Sequence, residues 1–138
     1  MPNLAQPTER LLRLFFLGLT VIHLGIGIWM FASPHSFFLT VGAFDSYNRH
    51  YERDTATFYL AFALGSWIAA SRPGWRLPVL ALITVQYALH TINHAIDVNN
   101  ANNAWAGPFD VISLALATVQ FAALLWVYAN RVPSGERT

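Results

Sequence analysis

The chain has 138 residues, 55% of them hydrophobic and only 11% charged, whereas soluble domains carry about 25% charged residues. That composition belongs to an integral membrane protein and excludes an ordinary soluble enzyme. There is no Cys, and every basic residue is Arg, so disulfides, thiolate metal sites, cysteine nucleophiles and Schiff-base chemistry are excluded, and a net charge of +1 without a basic cluster excludes nucleic acid as a partner.

The length suits one domain, and residues 1–138 are read as a single transmembrane unit. The opening MPNLAQPTER lacks the start of a cleavable signal, and the apolar run behind it is long, so that run is read as a retained first span. This span covers about 11–32, starting at Thr8-Glu9-Arg10 and stopping at Ser33-Pro34, since proline disfavours helix in the residue before it. The connection 33–52 is too aromatic for a free loop and is expected at the membrane interface, as a short helix across the mouth of the bundle. A second span covers about 53–71 and ends at Arg72-Pro73-Gly74. The third covers about 76–98, with Pro78 in its first turn. A polar loop, 99–107, holds no glycosylation signal. The fourth covers about 109–130, entered at Pro108 and followed by Pro133 and Gly135. Each is near the roughly 20 residues that cross the hydrocarbon layer. The predicted fold is therefore all-α: an integral membrane four-helix bundle with short termini and an interfacial segment between helices 1 and 2.

Arginine placement orients it. Arg10, Arg13, Arg72, Arg76, Arg131 and Arg137 fall on one side, Arg49 and Arg53 on the other. Both termini are expected in the cytoplasm, with the chain in the inner (plasma) membrane. Trp29, Trp75 and Trp105 fall near span ends, as an interfacial belt requires. Gly18, Gly25, Gly27 and Gly65 would allow close helix approach, which leaves a homo-oligomer open.

The third span carries the strongest functional signal. Gln86, His90, Asn93, His94 and Asp97 recur at i, i+4, i+7, i+8 and i+11, within one arc of roughly 100° on a helix. Lipid would not accept such a stripe, so it must face protein or a water-filled cavity. The other spans bring polar groups to the same outer half: Thr20, His23 and Gly27 on the first, His50, Asp54 and Thr57 on the second, Asp110, Ser113 and Gln120 on the fourth. His23 and His90 come at similar depth on different helices.

Each residue also has a structural explanation. His23 could be a helix–helix hydrogen-bond donor, and Gln86 and Gln120 packing groups. Asp54 and Asp110 sit where caps and helix dipoles favour acids. His50 could be interfacial and Asp97 terminal. The pair His90 and His94, one turn apart with Asp97 beyond, is the hardest to explain structurally, because that spacing presents two imidazoles to one ion.

Four functions fit. The first is a metal site for Zn, Fe or Mn, built from His90, His94, Asp54, Asp97 and either His50 or Asp110, activating water or a substrate oxygen. It differs from soluble di-metal bundles in having no Glu within a span. The second is metal-free acid–base catalysis on a small lipophilic substrate by Asp54, His90, His94 and Asp110. The third is b-haem held by His23 with His90 or His94. The fourth is a non-enzymatic carrier or accessory subunit. Membrane lipid is a partner in all four.

The stretch Asn48-Arg49-His50-Tyr51-Glu52-Arg53-Asp54 resembles a pattern, Asn-x-His-x-x-Arg-Asp, of small bacterial four-span membrane proteins. The layout is similar to the DoxX-like group: a basic start to the first span, a proline-marked exit, a Gly-containing second span. The resemblance covers seven residues as a motif and most of the chain as layout. It implies a four-helix membrane bundle linked to redox chemistry and gives no catalytic assignment. If the motif carries over, its positions are Asn48, His50, Arg53 and Asp54, which the topology sets opposite His90 and His94.

Overall fold

A computed structural model describes residues 5–42 and 44–131. Among them are five α-helices: α1 (Ala5–Ala32), α2 (Pro34–Thr40), α3 (Arg49–Ser71), α4 (Arg76–Ile96) and α5 (Ala106–Arg131), with a 3-10 turn, Pro73–Trp75, before α4. Pro133, Gly135 and Arg137 lie outside the described residues, as does the chain start before Ala5. The first helix already includes Ala5, ahead of the expected start at Thr8.

The breaks at Pro34 and at Arg72-Pro73-Gly74 fall as expected, whereas α3 begins at Arg49, before the expected 53, and α5 at Ala106, before Pro108. Pro34 opens α2 and so ends α1. Asn48 caps α3, its side-chain oxygen accepting from the backbone N–H of His50 (3.0 Å) and Tyr51 (3.2 Å). Arg72 is extended, and Pro73-Gly74-Trp75 turns the chain straight into α4.

Three helical stretches are long and apolar enough to cross a membrane: Glu9–Ala32, Pro73–Ile96 and Ala106–Asn130. Their outward faces are apolar, with Val21, Ile28, Leu82, Leu89, Leu116 and Val119 all exposed. α3, with 23 residues, has the length. It is less apolar, because Arg49, Glu52, Arg53 and Asp54 occupy its first turns and Thr, Ser and Ala much of the rest.

The helices form two antiparallel pairs, α1 along α3 and α4 along α5, which meet most closely at the short α3–α4 link. That end is solid. Phe16, Leu19, Ala69, Ala70, Val79, Leu80, Ile83, Phe121 and Tyr128 form one buried cluster from all four long helices. The buried Arg76 fastens it: its guanidinium donates to both carboxylate oxygens of Glu9 (2.7 and 2.6 Å), and its Nε donates to the Ala69 carbonyl (3.1 Å). The Tyr128 hydroxyl donates to the Pro73 carbonyl at 3.3 Å.

At the other end the second cluster, Met30, Phe37 and Ala56, joins only α1, α2 and α3. Here the pairs are roofed by their connections. Phe44 forms a single antiparallel bridge with Ala101, and Asn102 donates to the Asp45 carbonyl at 3.1 Å. Asp45 turns with φ 52°, a left-handed conformation that Asp tolerates. The connection 33–52 does contain a short helix, α2, which packs on α1 and α3.

Candidate functional site

Beneath that roof, between the two helix pairs, is a cavity of about 420 Å³. α4 contributes Tyr87, His90, Asn93, His94 and Asp97, and α5 contributes Phe109, Asp110, Ser113 and Leu114. α3 supplies Tyr51, Glu52, Thr55 and Tyr59. Ile26, Trp29 and Met30 of α1, Phe37 of α2, and Val41, Gly42 and Phe44 complete the wall.

Four of the five stripe residues on α4 line the cavity, as their shared arc requires. Gln86, at the lower end of the stripe, does not. An imidazole and a carboxylate come close at His94. Its Nδ1 lies 3.7 Å from Asp110 Oδ2, and both side chains are shielded, at 14% and 12% exposure. Neither atom has a hydrogen-bond partner, so two complementary polar groups stand just beyond bonding distance in a place that penalises unpaired ones. The His94 ring is held edge-on by His90 (ring centroids 4.6 Å apart) and by Phe44 of the roof (4.8 Å). Asp110 is thus a wall residue buried beside an imidazole, not a cap turned to solvent.

Asp97 closes the far end of α4. Its Oδ1 accepts from Asn100 Nδ2 at 2.9 Å, so it is both a terminal residue and a lining residue.

His50 and Asp54 do not face His90 and His94. They pair with each other across one helical turn (3.4 Å) on the outside of α3, with side chains 88% and 60% exposed. The facing wall is Glu52, Thr55 and Tyr59. At about 100° per residue, His50 and Asp54 lie some 160° from Glu52 on either side, on the opposite face of the helix. Thr57 is exposed as well, its hydroxyl donating to the Asp54 carbonyl (2.6 Å). The assignments of Asp54 as a catalytic group, and of His50 and Asp54 as ligands beside His90 and His94, are corrected accordingly.

The seven-residue motif acquires a structural meaning. Asn48 caps α3, His50 and Asp54 pair on its outer face, and Arg53 Nε donates to the Phe31 carbonyl at 3.1 Å, tying the start of α3 to the end of α1. The acid of this seven-residue stretch that lines the cavity is Glu52. Burial pushes its carboxyl above the usual glutamate value.

His23 is fully buried but outside the lining. Its Nδ1–H donates to the Leu19 carbonyl at 2.8 Å, which leaves Nε2 as acceptor for the Tyr87 hydroxyl at 3.4 Å. The rings of Tyr59, Phe62 and Tyr87 surround it at about 6 Å. Both ring nitrogens are engaged, and His23 and His90 are not brought to opposite sides of one open space. His23 acts as the helix–helix hydrogen-bonding residue.

Among the predicted site residues His94 lies beside His90 and Asp110, and Asp97 bonds Asn100. Among the described residues no group of three or more His, Asp or Glu side chains is disposed to hold a metal ion. What is present is an imidazole 3.7 Å from a carboxylate and beside a second imidazole, in a mostly apolar chamber, groups of the kind that exchange protons.

No family model matches the chain, and no curated protein or solved structure is significantly similar to it.

Proposed function

We propose that the chain is a four-helix integral membrane protein whose cavity binds a small, largely apolar molecule and moves a proton on it through Asp110, His94 and His90. The observation that carries this reading is the unpartnered pair His94 Nδ1 and Asp110 Oδ2 in the cavity wall. Asp110 accepts the His94 Nδ1–H and fixes the imidazole so that its other nitrogen serves as base and then as acid. A separation of 3.7 Å suits a site without ligand, where catalytic hydrogen bonds are often long and tighten on binding. The ring-lined walls hold the apolar body. Isomerisation, cyclisation or epoxide opening needs no more than this.

In this reading α3 also crosses the membrane, as the second of four spans. Its charged first turn lies at the interface, and the buried small residues Ala56, Ala63, Ser66 and Ala70 pack it against its neighbours. The arginines near Glu9 and at the α3–α4 link put the solid end in the cytoplasm and the cavity in the outer half of a bacterial inner membrane. A DoxX-like relationship fits the layout.

A divalent ion on His90 and His94, favoured by their adjacent rings, is the competing reading. One experiment separates the two: element analysis, an absorption spectrum and mass spectrometry of the organic extract from detergent-purified protein. The proposal expects no stoichiometric metal, no Soret band, and a co-purifying lipophile that His94→Ala and Asp110→Asn lose. Stoichiometric Zn, Fe or Mn lost in His90→Ala and His94→Ala would replace it with the metal site.

A further inference from the structure

The charge of the cavity wall narrows what it can hold. Three of the chain's seven acidic residues line it: Glu52 from α3, Asp97 from the end of α4 and Asp110 from α5. Among the described residues no Arg lines it, and the chain has no Lys. The parts of α1 and α2 in the wall carry no ionisable group. Arg53, close by in sequence, is turned away, its guanidinium on the Phe31 carbonyl and 5.7 Å from the Phe31 ring centroid. Asp97 is engaged by Asn100. That leaves Glu52 and Asp110 to meet a ligand, from opposite helix pairs.

Two further observations point the same way. Asp110 is only 8% exposed, and its Oδ2 lacks a hydrogen-bond partner. Without a ligand no donor is bonded to it, His94 Nδ1 standing 3.7 Å away; a buried carboxylate oxygen left so is costly, and it has lone pairs for both His94 and a ligand donor. The rest of the wall is rich in rings, including Trp29, Phe44, Tyr59, Tyr87 and Phe109, and ring faces attract ammonium groups through their quadrupole. A carboxylate ligand would meet acids and ring faces; a neutral one would satisfy Asp110 and gain nothing from its charge.

We infer that the cavity takes a small lipophilic amine in its protonated form, the ammonium donating to Asp110 and facing Glu52, the apolar body against the rings. This rests on the proposed reading of the cavity as a ligand site and adds the chemical class of the ligand.

The test is calorimetric titration of the detergent-purified full chain with phenylbutylamine, phenylbutanol and phenylbutyrate, which share one body and differ in charge. It is run at one mildly alkaline pH, where the amine is still protonated. The amine is expected to bind at least about tenfold more tightly than the alcohol, the scale of one charge-assisted hydrogen bond, and the carboxylate most weakly. Asp110→Asn and Glu52→Gln should each erase most of the amine's advantage over the alcohol, read as the ratio of the two affinities measured on the same variant. Leu114→Trp, which fills the cavity, should abolish binding of all three. Equal binding of amine and alcohol, or tighter binding of the carboxylate, with Leu114→Trp still abolishing it, would overturn the charge inference and leave the ligand site standing. No binding to the unsubstituted chain, or binding indifferent to Leu114→Trp, would overturn both. The comparison among probes on the unsubstituted chain needs no variant to fold.

Discussion

Removing Glu9 should cost more than removing Arg76, although the two form one ion pair. Arg76 is 1% exposed, while the Glu9 side chain is 55% exposed. Glu9→Ala leaves a guanidinium inside the bundle bonded to the Ala69 carbonyl, with two N–H groups stripped of their carboxylate. Breaking a buried pair from one side costs about 3–5 kcal/mol. Because water reaches the Glu9 side and screens the interaction, about 2–3 kcal/mol is the appropriate figure here. Arg76→Met instead returns a half-exposed carboxylate to solvent and fills the same volume with an apolar chain, at about 1–2 kcal/mol. The double variant should therefore be more stable than Glu9→Ala alone. The assay is thermal unfolding in detergent across the four members of the cycle, where about 1 kcal/mol moves the midpoint by roughly 2–4 °C. Additive losses, or Arg76→Met at least as damaging as Glu9→Ala, would refute the reasoning that the trapped cation dominates.

Glycines separate by what surrounds them. A Cβ on Gly107 would run into the Val98 carbonyl oxygen, a backbone atom that cannot swing aside, whereas Gly18 and Gly25 meet nothing within 4 Å; Gly107→Ala should lower stability by about 1–3 kcal/mol, and Gly18→Ala should raise it by up to about 1 kcal/mol, both read as unfolding midpoints. His50→Ala and Asp54→Asn, on the outer face of α3, should leave retention of a co-purified lipophile unchanged in mass spectrometry, in contrast to His94→Ala. Glu52 makes stability depend on pH. Burial raises its folded-state pKa above the unfolded one, so the ionised form is penalised in the folded protein, and stability is gained as pH falls through that raised value. Glu52→Gln should therefore raise the unfolding midpoint at neutral pH and flatten its dependence across the weakly acidic range; an unchanged profile would show that the carboxyl is solvated.

Helix boundaries were legible because proline and the extended residues beside it act locally. Pro34, Pro73 and Pro108 fall where chain direction changes whatever packs nearby. The α4 stripe was legible because one apolar helix carries one polar arc, so periodicity sets its rotation. α3 defeated the same logic. Its first turns are polar all round, and residue chemistry singled out His50 and Asp54, a His–Asp pair on the wrong face. The rotation of α3 is set by small residues instead: Ala56, Ala63, Ser66 and Ala70 are buried, and at about 100° per residue Glu52 and Tyr59 share their side while His50 and Asp54 oppose it. Reading that stripe first would have found Glu52. The Glu9–Arg76 clamp was hidden for another reason. Arginines at span ends were read as topology markers, and nothing local to residue 76 announces a partner 67 residues away.

The clamp and the cavity are consequences of one packing choice. α1 pairs with α3 and α4 with α5, and large side chains bridge the pairs only at the solid end, where Phe16, Leu80, Ile83 and Phe121 meet. A bundle joined so firmly at one end can leave the other unfilled, since the entropic cost of ordering the helices is met by a core that the cavity does not interrupt. At the hollow end the chain substitutes a roof for a core: α2, the Phe44–Ala101 bridge and the Asn102–Asp45 hydrogen bond hold the mouth. Phe44 is the piece of that roof that touches the chemistry, its ring packed on His94. Phe44→Ala should therefore loosen His94 without disturbing the Arg76 end. It is expected to lose the co-purified lipophile while moving the unfolding midpoint by less than Glu9→Ala does, and a midpoint drop as large as that of Glu9→Ala would show that the roof carries the fold rather than the site.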